Sequence, residues 1–168
     1  MKKIFLSILS TIIGGAIILI LFFSLATQSG VKFIKKGNTQ HKPIAINPKE
    51  YQCSECNMEI DKLNYLAEVV RDDGVTYFFD DIGCVVLWLE RNRPSKPTLL
   101  TKTLDTKVWI DAKSAWYTRI ASSPMGYGFG AYEKKNKGLI DCKQMKILML
   151  QGKNLHDPFI KKTLLIKN

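Results

Sequence analysis

The chain has 168 residues, of which 46% are hydrophobic and 24% are charged, so it is long enough for one compact domain or two small subdomains. Its formal net charge is +10, but the lysines are scattered and no nucleic-acid-binding motif is present, so we expect no nucleic-acid partner. The four cysteines have irregular spacings, which is not the pattern of a small secreted disulfide framework.

The N-terminal part contains a long apolar run. Ile4–Ala26 holds 23 residues without a charge and follows Lys2 and Lys3. At about 1.5 Å per residue, a helix of this length spans a hydrocarbon core of about 30 Å, and the run exceeds the roughly 7–15 apolar residues of a signal peptide. We therefore predict a membrane anchor over residues 1–27. Removal as a signal peptide stays open, because Ser24-Leu25-Ala26 resembles a cleavage site.

A polar segment follows the apolar run. Gln28–Pro48 contains two glycines and two prolines, and this composition predicts a tether over residues 28–50 ahead of a globular domain over residues 51–168. Lysines lie on both sides of the apolar run, so charge alone leaves the orientation of the anchor open.

The globular part begins with a predicted hairpin and helix. Tyr65–Val70 and Val75–Phe79 have strand composition and flank the turn signal Asp73-Gly74. A helix over Ile82–Arg91 follows, and either Asp80 or Asp81 can cap it. The pattern then repeats loosely and predicts an α+β fold. The later elements are strands over Lys107–Ile110 and Ala115–Ile120, a glycine-rich loop over Ser122–Gly130, a helix from Asp141 to Leu150, and a final strand over Leu164–Ile166.

Three sulfur side chains, those of Cys53, Cys56 and Met58, fall within six residues. Thiolate and thioether are soft donors that prefer Cu(I) to hard ions such as Mg²⁺. A Cys-x-x-Cys turn can aim two sulfurs at one point, and an extended chain from Cys56 to Met58 would place both on one face. These three residues are therefore candidate ligands of one ion.

Three other interpretations of the Cys-x-x-Cys motif stay open from the residues alone. It can be half of a zinc site, although Cys84 and Cys142 stand alone and supply no second pair. It can be a redox dithiol, although such motifs usually open a helix after a strand. It can be a structural disulfide. Covalent haem attachment is excluded, because Asn57 stands where that motif requires His.

Four separated segments of the chain match, in order, motifs of one known family. They are Cys56-Asn57-Met58, then Phe79-Asp80-Asp81-Ile82-Gly83-Cys84, then Trp109-Ile110-Asp111-Ala112 with Ala115-Trp116-Tyr117, and then Pro124-Met125-Gly126. On these segments, which cover most of Tyr51–Tyr132, the chain resembles the NosL family of copper-binding accessory proteins for nitrous oxide reductase.

The resemblance implies two ββαβ-type units in a small globular domain, a fold related to that of organomercurial lyase. It also implies a periplasmic Cu(I) carrier, not an enzyme, that takes copper from a donor and delivers it to the maturation machinery of nitrous oxide reductase, either a membrane transporter complex or the reductase itself. Many relatives are lipoproteins, whereas this chain has an apolar run that predicts an inner-membrane anchor. The family's copper ligands correspond to Cys56, Met58 and Met125.

Several other residues are weighed as ligands. Cys53 can be a third ligand or exclude water, and Cys84, just inside a helix start, can be a further ligand or a buried thiol. Met125 stands between Pro124 and Gly126, which favours an exposed turn over core packing. The remaining candidates have simpler explanations: packing for Cys142, Met145 and Met149 on one helical face, a solvated loop for His41 and His156, and helix capping or turn hydrogen bonds for Asp80, Asp81 and Asp111.

The sequence thus supports a Cu(I) carrier as the leading function. A thiol–disulfide oxidoreductase or organometal-handling enzyme that uses Cys53 and Cys56 is one alternative. A structural zinc module is another, and it needs four closed ligands. A carrier differs from both in offering few, accessible soft ligands, so that a partner can exchange ligands with the bound ion.

Overall fold

The structure, a computed structural model, describes residues 12–21 and 32–166. Residues 12–21 are helical and belong to a compact unit separate from the one that begins at Lys32. The predicted anchor includes Ile4–Ala26, and the parts of this run before residue 12 and after residue 21 lie outside the described residues. Within the described ranges, no helix combines the length and the apolar character that crossing a bilayer requires.

Residues 32–166 form a mixed α+β domain, which confirms the predicted class. A short 3₁₀ turn, Leu63–Tyr65, precedes the central strands. The strands are β1 (Ile34–Lys35), β2 (Ala67–Val70), β3 (Thr76–Phe79), β4 (Thr98–Lys102), β5 (Trp109–Asp111), β6 (Trp116–Thr118), β7 (Gly130–Tyr132) and β8 (Ile140–Asp141), and the helices are α1 (Ile82–Asn92), α2 (Cys142–Leu150) and α3 (Pro158–Ile166).

The strands form two antiparallel sheets. The larger sheet has the order β1-β3-β2-β4-β5, and the smaller has the order β7-β6-β8. The predicted hairpin is confirmed as β2 and β3, with Ala67 opposite Phe79 and Val70 opposite Thr76. Gly74 closes the turn at a φ of 74°, where an added Cβ would lie 3.2 Å from the backbone of Asn38.

The two central strands are covered on both faces. All four residues of β2 are buried, although its sequence includes Glu68. On one face, the Trp88 ring of α1 contacts the rings of Tyr77 and Phe79, with centroids 4.6 and 5.7 Å away. Phe78 alternates to the other face and contacts the Tyr51 ring at 4.3 Å. The sheet therefore lies between α1 and the chain that precedes the hairpin.

The described part of the predicted tether, from residue 32 onward, lies along the sheet. β1 pairs with β3, the Asn38 backbone N–H donates to Gly74 at 2.9 Å, and the Asn38 amide donates to Thr76 Oγ1 at 3.0 Å. His41 Nδ1 lies 2.8 Å from Thr98 Oγ1. These hydrogen bonds attach the polar segment to the domain, because its polar groups pair with the turn of the hairpin and with threonines of β3 and β4, of which Thr76 is buried.

The two halves of the domain end differently. The first half runs β2-β3-α1-β4, whereas the predicted final strand over Leu164–Ile166 is wrong, since these residues end helix α3. The carboxylate of Asp157 accepts hydrogen bonds from the Phe159 and Ile160 N–H groups, and Pro158 occupies the first helical position, where its missing N–H costs nothing. These start signals and the attachment of the helix to the domain outweigh the β-branched composition.

Glu68 gives the domain a specific pH dependence. Its side chain is buried, Oε1 accepts the Ile44 N–H at 3.0 Å, and Oε2 has no hydrogen-bond partner among the described residues. Burial raises the pKa of Glu68 from 4.5 to about 7, against the smaller effect of the Ile44 hydrogen bond. The folded domain therefore holds the proton more tightly than the unfolded chain, and its stability falls as the pH rises from the unfolded pKa through the folded one.

We predict that Glu68→Gln raises the free energy of unfolding above pH 7 by up to about 3 kcal/mol, since each pKa unit corresponds to about 1.4 kcal/mol. The same substitution should flatten the pH profile below neutrality. Urea unfolding over a pH series measures both effects, with Glu59→Gln at an exposed position as the matched control. Superimposable profiles for the wild type and Glu68→Gln would contradict the prediction.

Candidate metal centre

The Cys-x-x-Cys motif forms a closed loop. Gln52 and Glu59 form an antiparallel bridge, and the Cys53 N–H donates to the Met58 carbonyl at 2.8 Å. Asn57 closes the loop in the left-handed region, with a φ of 63°, and Asn tolerates this region better than most residues. The chain therefore turns at Asn57 and is not extended from Cys56 to Met58, which was the condition for placing both side chains on one face.

The loop is held against the hairpin and helix α1. The Ser54 N–H donates to the Phe78 carbonyl at 2.8 Å, and the Ser54 hydroxyl donates to the Phe33 carbonyl at 3.1 Å. Glu55, whose side chain is nearly buried, pairs with Arg91 near the end of α1. These contacts fix the backbone that carries Cys53 and Cys56 relative to the first turn of α1.

The junction between β3 and α1 supplies two further donors. Asp81 has the extended backbone of an N-cap, and its Oδ1 accepts the Gly83 N–H at 2.8 Å. Asp80, directly after β3, is not the cap and is instead free to face the cysteine loop together with Cys84. The predicted capping of the helix by Asp80 or Asp81 is therefore confirmed, with Asp81 as the cap.

Four donor groups meet at this point. The thiols of Cys53, Cys56 and Cys84 and a carboxylate oxygen of Asp80 all lie within 4.8 Å of one another. The Cys56 sulfur is 3.7 and 3.8 Å from the two Asp80 oxygens. Four donors that surround one ion tetrahedrally at about 2.3 Å lie about 3.8 Å apart, so shifts of up to about 1 Å would close this set on one ion. These three thiols and one carboxylate form a candidate metal-binding cluster, called the metal-binding cluster below.

The cluster opens on the side of Cys56. Cys53, Asp80 and Cys84 are buried, whereas Cys56 is half-buried and Met58, two residues later, is 50% exposed. The sequence left open whether Cys84 is a ligand or a buried thiol. In the structure it is buried and also lies in the cluster. An ion in the cluster would be reached from solvent past the loop that carries Cys56 and Met58.

The thiols differ in acidity. A hydrogen bond between the Cys53 and Cys84 thiols lowers the pKa of Cys53 and raises the pKa of Cys84, and burial raises the latter further. Burial raises the pKa of Cys56 to about 12, and the neighbouring Cys53 and Asp80 charges add to this effect. Cys53 is thus the first thiol of the three to ionise. A cation must displace protons from the others, as thiolate ligands generally require.

Met125 lies in a loop attached to the start of α1. Its backbone N–H donates to Asp81 Oδ2 at 3.2 Å, and its carbonyl accepts from His156 Nε2 at 2.6 Å. The Tyr127 ring lies against Gly83, where an added Cβ would be 2.4 Å from a ring carbon. The loop therefore borders the turn between Asp80 and Cys84. Met125 itself is half-buried and contacts the core, so the expected exposed turn is wrong.

The remaining candidates serve structure. Met145 and Met149 are buried in the core, as their helical spacing predicted, and Cys142 is half-buried at the start of α2, outside the cluster. Asp111 accepts the Lys113 N–H at 2.8 Å in a turn, again as expected. His156 stacks on Tyr127 and positions the Met125 backbone, a role that the sequence did not indicate.

Comparison of the chain with protein-family models and with curated proteins gave no match. The case for a function therefore rests on the geometry of the cluster and on the motifs themselves.

We predict that Cys53→Ser, Cys56→Ser and Cys84→Ser each weaken binding of a thiophilic ion, with Cd²⁺ as the probe and thiolate-to-metal ultraviolet absorption as the readout. Loss of a direct ligand should lower the metal affinity by more than the roughly 10–100-fold that is typical when a residue supporting a ligand is replaced. Cys142→Ser is the matched control and should bind as the wild type does. If Cys142→Ser loses the absorption while Cys84→Ser keeps it, the cluster is not the binding site.

Proposed function

We propose that the domain binds one Cu(I) ion as cargo in the cluster of Cys53, Cys56, Cys84 and Asp80 and passes it to another protein. The observation that carries the proposal is the convergence of three thiols from two separate segments within 4.8 Å. Thiolates are the ligands that Cu(I) prefers, and a protein that only packed its cysteines in a core would not need to group three of them beside a carboxylate.

The surroundings of the cluster favour transfer over permanent storage. Cys56 is half-buried and Met58 is half-exposed, so one side of the site is open to an approaching partner. Met125 comes from a loop tied to Asp81, beside the same helix turn. Thioethers carry no proton at ordinary pH, so Met58 and Met125 can bind Cu(I) without proton competition while thiolates are exchanged.

The resemblance to the NosL family supports a specific recipient. Cys56-Asn57-Met58, the Asp80–Cys84 junction and Pro124-Met125-Gly126 are motifs of that family, and all three lie at or beside the cluster. We infer that the copper comes from a donor protein and is delivered to the maturation machinery of nitrous oxide reductase. The first half of the domain, β2-β3-α1-β4, has the ββαβ order that the resemblance implies, whereas helix α3 stands where a second such unit would have its final strand.

A structural Zn²⁺ site is the second candidate, and one observation favours it. The sequence argument against zinc was the absence of a second cysteine pair, but Cys84 and Asp80 complete a set of four donors. Three thiolates and one carboxylate can close a tetrahedral Zn²⁺ site. Asp80 separates the two candidates, since Zn²⁺ uses the carboxylate whereas Cu(I) is satisfied by sulfur.

The oxidoreductase alternative has less support. A catalytic thiol is usually accessible and has a lowered pKa. Here Cys56 is the most accessible thiol of the cluster, and its pKa is raised to about 12, whereas Cys53 has the lowered pKa and is fully buried. No thiol of the cluster therefore combines exposure to solvent with a lowered pKa, which a catalytic thiol usually does.

Anaerobic titration of the reduced full chain with Cu(I), with Zn²⁺ as competitor, tests the proposed function. We expect one Cu(I) per chain to be retained against Zn²⁺, and Asp80→Asn to weaken Zn²⁺ binding far more than Cu(I) binding. Met58→Ala should weaken Cu(I) binding with little change in melting temperature, because Met58 is half-exposed, whereas Met125→Ala should weaken Cu(I) binding and also lower the melting temperature, because Met125 contacts the core. Met145→Ala is the buried control and should keep its copper affinity while losing about 2–5 kcal/mol of stability.

A preference for Zn²⁺ that depends on Asp80 would replace the carrier with a zinc module. Copper affinity unchanged in both methionine variants would remove Met58 and Met125 from the site.

We further propose that the domain lies outside the cytoplasm, held at the inner membrane by Ile4–Ala26, with its globular part in the periplasm. The uncharged run and the export implied by the family resemblance support this location. A C-terminal reporter that is active only after export should be active in living cells. Activity solely from a reporter that requires the cytoplasm would reject the proposal.

A further inference from the structure

Helix α3 presents large apolar side chains to solvent. Phe159 is 83% exposed, Ile166 72% and Leu165 50%. Phe159 and Ile166 are seven residues apart, so they lie on one face, two turns from each other. Apolar side chains exposed together on a single element usually mark an interaction surface.

The opposite face of α3 holds the helix to the domain. Ile160 and Leu164, four residues apart, are half-buried, and Asp157 caps the helix start. The Thr163 hydroxyl donates to the Phe159 carbonyl at 2.8 Å, which directs it to the backbone of its own helix. Because Ile160 and Leu164 face the domain, Phe159 and Ile166 face outward. The Thr163 hydroxyl is already hydrogen-bonded within the helix.

Much of the positive charge of the chain lies in the C-terminal stretch of the sequence that includes this helix. Residues 133–168 contain nine lysines and three acidic residues, which gives +6 of the formal +10. Two of the three acids, Asp141 and Asp157, are engaged as helix caps. Lys161 and Lys162 are exposed on α3 itself, and none of the ion pairs found among residues 32–166 involves them.

We propose that α3 docks on an anionic lipid surface, with Phe159, Leu165 and Ile166 in the interfacial region and Lys161 and Lys162, which flank Leu165 on the helix, at the headgroups. Exposed aromatic and aliphatic residues next to lysines, without an acidic residue in the helix, are the features of an interfacial helix. The proposed membrane anchor over Ile4–Ala26 would hold the domain near a bilayer, which favours lipid over another protein as the partner, and this step rests on the location proposed above. The proposal holds whichever metal the cysteine cluster binds.

The full chain, reconstituted without metal in phosphatidylcholine nanodiscs with or without phosphatidylglycerol, tests the proposal. Hydrogen–deuterium exchange of the backbone amides of α3 is the readout. We expect α3 to be protected in the anionic discs, and Lys161→Gln/Lys162→Gln to lower this protection roughly thirtyfold, since each lysine near such a surface contributes about 1 kcal/mol. Phe159→Ser/Ile166→Ser should abolish it.

The matched control is Lys42→Gln/Lys62→Gln, which removes two exposed lysines elsewhere and should keep the protection. Equal exchange of α3 in the two kinds of disc would overturn the proposal. Protection that appears in lipid-free detergent solution and rises with protein concentration would also overturn it, by indicating a second copy of the chain as the partner.

Discussion

The carboxylate of Asp81 joins three parts of the domain at one buried point. One oxygen accepts the Gly83 N–H and begins helix α1, and the other accepts the Met125 N–H and fixes a loop from the second half of the chain. Asp81 is fully buried, and this burial raises the pKa of its carboxyl to about 6. The positions of Cys84 and Met125 both depend on this side chain, although neither is its neighbour in sequence.

The metal-binding cluster follows from the same junction. A strand that ends at Phe79 and a helix that begins at Ile82 leave two residues between them, and only one of the two can be the N-cap. Asp81 takes that place, so Asp80 is left to face the loop of Cys53 and Cys56. A short connection between two regular elements thus assigns different tasks to adjacent, chemically identical side chains.

Local signals predicted much of the fold. The hairpin of β2 and β3, helix α1 with its cap, and helix α2 with Asp141 were each indicated by residues close together in sequence. β4 was missed because a short strand after Pro97 is defined mainly by its pairing with β2, which no local pattern reveals. At Leu164–Ile166 an apolar stretch suggested a strand, whereas the informative signal was the Asp157-Pro158 helix start.

The site was also predictable where its residues carry a local sequence signal. Cys53 and Cys56 form a recognisable pair, and the position of Cys84 near a helix start suggested a third thiol. The part played by Asp80 could not be derived, since capping accounted for both aspartates equally well until the backbone showed which of them is the cap. The turn at Asn57 also changed the geometry of Met58, because a single left-handed residue redirects the side chain that follows it.

The contact between Gly83 and Tyr127 has a consequence for how this protein can vary in evolution. Even the methyl group of an alanine at position 83 would overlap the Tyr127 ring, so the two positions can change only together or in a set order. A smaller side chain at 127 has to be accepted first, and it would remove the ring that stacks on His156 beside the Met125 loop. Variation beside the metal-binding cluster is therefore limited by a pair of residues neither of which belongs to that cluster.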